Sequence, residues 1–277
     1  MTAFGARLVA AVHAHGALCV GIDPHPGLLA EWGLADDADG LECFAMSCVD
    51  ALGGRVAVLK PQSAFFERHG SRGVAVLERV LAAVGQTSTL SLLDAKRGDI
   101  GSTMDGYADA YLGVGAPLGA DAVTLSPYLG LGALVPAIRT AHAAGRGVVV
   151  LARTSNPEGA QMQLADWSGR RVAQLVVDGV AALNEGVEPL GDVGVVVGAT
   201  VDHDLDLSTL NGVVLAPGLG AQGAGPADIA ARFAGVSGIV LPSASRSVLR
   251  AGPDPVALRA AAAALRDDLA AAQAATA

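Results

Sequence analysis

A single (β/α)₈ barrel of the TIM type is the fold class this sequence predicts, and three observations predict it. Eight short apolar runs recur along 277 residues. Each run is continuously apolar rather than alternating, as in strands of a parallel sheet buried on both faces. Helical stretches dominated by Ala, Leu, Arg and Glu lie between them. The length suits eight βα units in one barrel. A doubly wound open sheet is the alternative that the same alternation allows.

The strands are read at 17–23, 55–60, 89–94, 120–125, 147–152, 193–198, 213–217 and 237–241. The helices are read at 42–53, 72–84, 102–114, 130–145, 168–185, 225–234 and 255–273. A short N-terminal helix precedes the first strand, and the Ala-rich tail is a final helix that frays at its end. No linker or composition shift divides the chain, so residues 1–277 are read as one domain.

Composition narrows the function classes. Hydrophobic residues make up 52% of the chain, enough for a large core, and the formal net charge is −9. Non-specific nucleic-acid binding would show a basic stripe, and the sequence has none. A phosphate group needs only a helix N-terminus and one or two cations, so an acidic chain can still bind one. The three cysteines, Cys19, Cys43 and Cys48, are odd in number and form no CxxC. That argues against a disulfide framework or a structural zinc site and predicts buried thiols in a reducing compartment. The first 23 residues lack a signal-peptide cleavage pattern. No apolar run approaches the roughly 20 residues of a membrane span. The sequence therefore predicts a cytoplasmic protein with no membrane partner.

A barrel places its chemistry at the C-terminal ends of its strands. The polar residues that interrupt the apolar runs lie there: Asp23, Lys60, Asp94 with Lys96, Arg153 to Ser155, Thr200, Gln222, and Ser243 with Arg246. The densest signal is Asp94-Ala95-Lys96-Arg97-Gly98-Asp99-Ile100. Residues two apart on a strand share a face, so Asp94 and Lys96 point into one mouth. A carboxylate beside an ammonium keeps both charged. An Asp-x-Lys alone reads first as a structural ion pair at a strand end. Arg97-Gly98-Asp99 also spells an adhesion tripeptide, but nothing else suggests a secreted protein. Lys60 could simply snorkel to solvent; with Asp94 and Lys96 it would build an alternating Lys/Asp cluster. Asp23 could accept hydrogen bonds from a sugar hydroxyl.

The segment Pro217–Gly225 contains a literal GxGxxG after a strand. No acidic residue ends the next strand and only one further βα unit follows, so a dinucleotide site is excluded. The loops after strands seven and eight of a barrel commonly hold a phosphate. Gly220 and its neighbours would let backbone N–H groups approach, and Arg246 supplies a forked cation. A plain glycine turn with a surface arginine is the alternative. Ser155 lies in Arg153-Thr154-Ser155-Asn156-Pro157, which is also good turn sequence. His13 and His15 form an HxH pair, but they precede the first strand, at the wrong end for a metal site.

Taken in order, Asp23, Lys60, Asp94-x-Lys96-x-x-Asp99-Ile100 and the flanking Lys-Pro-Gln-Ser-Ala-Phe-Phe-Glu and Asp-Ala-Lys-Arg-Gly-Asp-Ile-Gly-Ser-Thr segments resemble the orotidine 5′-phosphate decarboxylase family, in its longer bacterial branch. The resemblance spans nearly the whole chain. It implies decarboxylation of orotidine 5′-monophosphate to uridine 5′-monophosphate, the last step of de novo pyrimidine synthesis, with no cofactor and no metal. It implies that Lys60, Asp94, Lys96 and Asp99 carry the chemistry, that Gln222, Arg246 and the loop around Gly220 hold the 5′-phosphate, and that Ser155 reads the pyrimidine. It also implies a homodimer in which Asp99 and Thr103 reach into the neighbour's site. Two readings compete: a related barrel acting on sugar phosphates with Mg²⁺, and a silent sensor of phosphorylated ligands. The intact charge cluster argues against the sensor.

Overall fold

The computed structural model describes residues 2–220 and 223–276. Eight parallel strands close into a barrel, and their order around it follows their order in the chain. They are Cys19–Ile22, Val58–Pro61, Leu90–Arg97, Ala122–Leu125, Gly147–Arg153, Val193–Val197, Gly212–Pro217 and Gly238–Ala244. Every strand read from the sequence is present, because each apolar run is buried against both the barrel interior and the helices outside.

The outer helices pack by one face. In the helix Gly70–Val84 the buried positions are Gly73, Val76, Leu77, Val80, Leu81 and Val84, the three-and-four spacing of a helix lying on a sheet. The first helix, Phe4–His15, does a different job. It lies across the N-terminal end of the barrel, where Phe4, Leu8 and Ala11 join Cys19, Ala57, Val58, Leu90 and Leu92 in the interior core. Gly147 is obligatory there, because a Cβ would sit 2.2 Å from the Phe4 ring.

Residues 198–211, where no helix is read from the sequence, run as a loop pinned by burial of Leu205, Leu207 and Leu210. Two expectations are corrected. The stretch expected to be helical from 168 begins instead with a ribbon, Asp166–Trp167 against Arg170–Arg171, and the helix starts at Val172. The cause is local, since Ser168 and Gly169 both take left-handed φ, as a tight two-residue hairpin turn requires. Cys43 is exposed, whereas Cys19 and Cys48 are buried as predicted. No helix among the described residues is long and apolar enough to cross a membrane.

Candidate active site

The C-terminal mouth of the barrel opens into a cavity of about 420 Å³, a volume suited to a small ligand. Its centre is the carboxylate of Asp94, which is buried on the third strand. Four side chains converge on it. Lys60 from the second strand donates to Oδ2 at 3.1 Å, and Gln62 donates to the same oxygen at 3.1 Å. Lys96 donates to Oδ1 at 2.6 Å, and the Thr124 hydroxyl from the fourth strand donates to it at 2.8 Å.

The two lysines differ. Lys60 is almost fully buried, while the Lys96 side chain is 44% exposed and faces the cavity. Burial alone would push the Asp94 carboxyl upward, but the charges of Lys60 and Lys96 and the hydrogen bonds from Lys96 and Thr124 outweigh it. The group is held well below the usual carboxylate range. Burial pulls Lys60 down, and the Asp94 and Asp23 charges outweigh that, so its ammonium sits above its ordinary value. The signs agree: at neutral pH both partners stay ionised.

The expectation that Asp94 and Lys96 share a mouth holds, although not through a regular strand. The pairing with the fourth strand shifts between Leu93 and Arg97, and Lys96 has a φ of 49°. This is the left-handed region that a non-glycine residue seldom occupies.

Other strand ends complete the walls. Asp23 follows the first strand, and its buried Oδ1 has no partner among the described residues. Ser245, just after the eighth strand, carries a buried Oγ in the same condition. Both line the cavity, so the protein leaves two polar atoms for a ligand to satisfy. Ser155 and its neighbours Thr154 and Asn156 form another wall. Gln163 fixes that loop by accepting the Thr154 N–H at 2.9 Å. Gly198 lets the loop pass, because a Cβ there would lie 2.8 Å from the Ser155 nitrogen.

Arg246 opens a short helix, Arg246–Leu249, and faces the cavity with no ion-pair partner among the described residues. Beside it runs the glycine loop. Gly218 and Gly220 take φ of 115° and 77°, and Gly220 N–H donates to the Ala224 carbonyl at 2.8 Å. Gln222 lies outside the described residues. Gly220 itself is exposed and does not line the cavity.

Asp99 and Thr103 are not brought to their own chain's cavity. Asp99 accepts the Ile100 N–H at 2.8 Å and makes no ion pair among the described residues, and Thr103 is exposed on the following helix. Thr200 also stands outside the cavity. His13 and His15 end the first helix at the opposite end, where His15 pairs with Ser88. Gln62, Thr124 and Ser245 were not singled out from the sequence. A signal existed for Gln62, which lies two residues beyond Lys60 on the same face. Thr124 left little signal, since threonine is ordinary in strands.

The comparisons with known proteins agree with this geometry. Residues 16–262 match the model of the orotidine 5′-phosphate decarboxylase / HUMPS family. The chain is 61% identical to the orotidine 5′-phosphate decarboxylase of Salinispora arenicola over 264 residues, 95% of each chain. It is 55% identical to that of Streptomyces coelicolor over 267 residues, again 95% of each. A crystal structure of a candidate orotidine 5′-phosphate decarboxylase from Streptomyces avermitilis superposes with a TM-score of 0.96 at 54% identity, covering 99% of this chain and 97% of that one. On the family match and these full-length relatives together, the chain belongs to the orotidine 5′-phosphate decarboxylase / HUMPS family.

Proposed function

We propose that this cavity removes CO₂ from orotidine 5′-monophosphate to give uridine 5′-monophosphate, closing de novo pyrimidine synthesis. The observation that carries the reading is the Asp94 carboxylate held between a buried Lys60 and a cavity-facing Lys96. Loss of CO₂ leaves an electron pair on a ring carbon that cannot delocalise it. The protein must therefore meet that charge with fixed charges of its own. Asp94 presents its negative charge to the substrate carboxylate, and the repulsion is relieved as CO₂ departs. The Lys96 ammonium faces the developing carbanion and gives it a proton, forming the C–H bond of the product. Lys60 keeps Asp94 ionised throughout.

The remaining assignments follow the same logic. Asp23 takes a ribose hydroxyl on its unpartnered Oδ1. Arg246, with Gln222 and the loop around Gly220, grips the 5′-phosphate, and binding energy from that remote group offsets strain at the ring. Ser155 contacts the pyrimidine. In this reading the enzyme is a cytoplasmic homodimer, organised as one domain and working without a cofactor. Asp99 and Thr103 act in the partner's site. Support for that comes from their position outside their own cavity, beside the exposed Ile100, Tyr128 and Leu129 on adjoining loops.

The test follows the ultraviolet absorbance of orotidine 5′-monophosphate in excess EDTA, with wild type and Lys96→Ala. Wild type should consume the substrate, and the variant should be slower by about 10²–10⁴-fold, the range for a positioned proton donor. Turnover only with Mg²⁺ and a sugar phosphate would move the chain to another branch of its family. Uridylate binding without any turnover would leave a sensor.

A further inference from the structure

We propose that Thr124 is a positioning residue for this reaction, its one hydroxyl fixing both the Asp94 carboxylate and the backbone of Lys96. The inference rests on the decarboxylase reading above and adds a residue to it.

The third and fourth strands pair at Leu92 with Ala122 and at Leu93 with Val123, and their next pair is Arg97 with Leu125. Three residues of the third strand, Asp94, Ala95 and Lys96, thus stand opposite one residue of the fourth, Thr124. An excess of residues on one strand interrupts the ladder and re-aims side chains. The Thr124 side chain spans this interruption. Its Oγ1 accepts the Lys96 N–H at 3.0 Å and donates its proton to Asp94 Oδ1 at 2.8 Å. A hydroxyl has one proton and two lone pairs, so both bonds coexist.

Both bonds matter to the chemistry. Lys96 has its left-handed φ of 49°, and the bond at its N–H holds it there. Asp94 Oδ1 is shared between Thr124 and the Lys96 ammonium. When that ammonium turns toward the substrate carbon, Thr124 is the donor that stays. Thr124 is 1% exposed and does not line the cavity, so it acts through Asp94 and Lys96 and not on the substrate.

The experiment compares wild type, Thr124→Val, Thr124→Ala and Thr124→Ser by steady-state decarboxylation of orotidine 5′-monophosphate, by calorimetric binding of uridine 5′-monophosphate, and by hydrogen exchange at the Lys96 amide. Thr124→Val keeps the branched shape and loses the hydroxyl. Its kcat should fall about 10- to 100-fold, the effect of removing a hydrogen bond to a charged group. KM and uridylate affinity should stay within about threefold, because no substrate contact is touched. Thr124→Ser should recover kcat to within about fivefold, since the donor and acceptor return. The Lys96 amide should exchange slowly in wild type and Thr124→Ser and about tenfold faster in the hydroxyl-free variants. Thr124→Ala serves where Thr124→Val does not fold.

Unchanged kcat in the hydroxyl-free variants, an equal loss in Thr124→Ser, or equal amide exchange in all four proteins would overturn the inference. A wild type that does not decarboxylate the substrate overturns the underlying reading as well. An active wild type beside an unaffected Thr124→Val overturns this inference alone.

Discussion

The two ends of the barrel handle polar groups in opposite ways. At the N-terminal end, the side chains of Asp192, Asp121 and Asn184 are satisfied from within the chain. Asp192 accepts the Gly5 N–H at 2.7 Å and faces His142 at 2.9 Å. Asp121 takes both the backbone and the hydroxyl of Ser91 and pairs with Arg7. Asn184 donates to the Val193 and Leu210 carbonyls and accepts the Val193 N–H. At the C-terminal mouth, Asp23 Oδ1 and Ser245 Oγ are buried without partners among the described residues, and Lys96 holds a left-handed backbone. Closed networks stabilise a fold, and open valences in a cavity wait for a ligand. The difference teaches that stability and chemistry are assigned to separate ends of the same eight strands.

The sharpest way to break that division is Asp94→Asn. It removes the anion that Lys60 and Lys96 share and leaves buried Lys60 with only the Asp23 charge to offset its own. We expect kcat to fall by roughly 10³-fold, the scale of losing a preorganised charge at the reacting centre. Single-turnover kinetics would check it; a loss under about tenfold would mean that the mouth is ordinary structure. Arg246→Ala comes next. If its guanidinium grips the phosphate, kcat/KM should drop about 10- to 100-fold, mostly through KM. A substrate lacking the 5′-phosphate should not distinguish the variant from wild type.

Phe4→Ala tests the other end. Phe4 is 2% exposed and fills the barrel floor against Gly147. Its truncation should cost about 3–5 kcal/mol of stability in denaturant titration, as large cavities in cores do. At a temperature where the variant remains folded, kcat should stay within about twofold of wild type, because no polar group of the mouth has moved. A matching fall in kcat would show the two ends to be coupled.

Most of this was legible in the sequence where one physical signal had one meaning. Doubly buried strands must be apolar throughout, so eight such runs located the barrel. A charged residue ending such a run stands out, and this marked Lys60 and Asp94 as candidate site residues, which the structure brings together in one cavity. The signal failed where geometry depends on partners far along the chain. The register shift at Asp94–Lys96 arises between strands 28 residues or more apart, so the alternation argument reached the right mouth without the bond from Thr124 that holds it.

The smallest effect concerns the region between the two ends. Cys19 lies in the barrel interior, where burial pushes its thiol up to about 12 despite the nearby Lys60 charge and a hydrogen bond from Ser243. Cys48 is raised as well by burial behind the strands, whereas Cys43 is exposed. Only the thiolate reacts, so a charged thiol reagent at neutral pH should modify Cys43 quickly and the other two only as the fold opens. Counting thiols before and after denaturant would give one and then three. The Cys43→Ser variant should show none before denaturation. Prompt labelling of Cys19 in the native protein would mean that water and reagent pass from the mouth into the core. The charges at Asp94 would then be screened, and the separation of a dry, packed floor from a preorganised mouth would not hold.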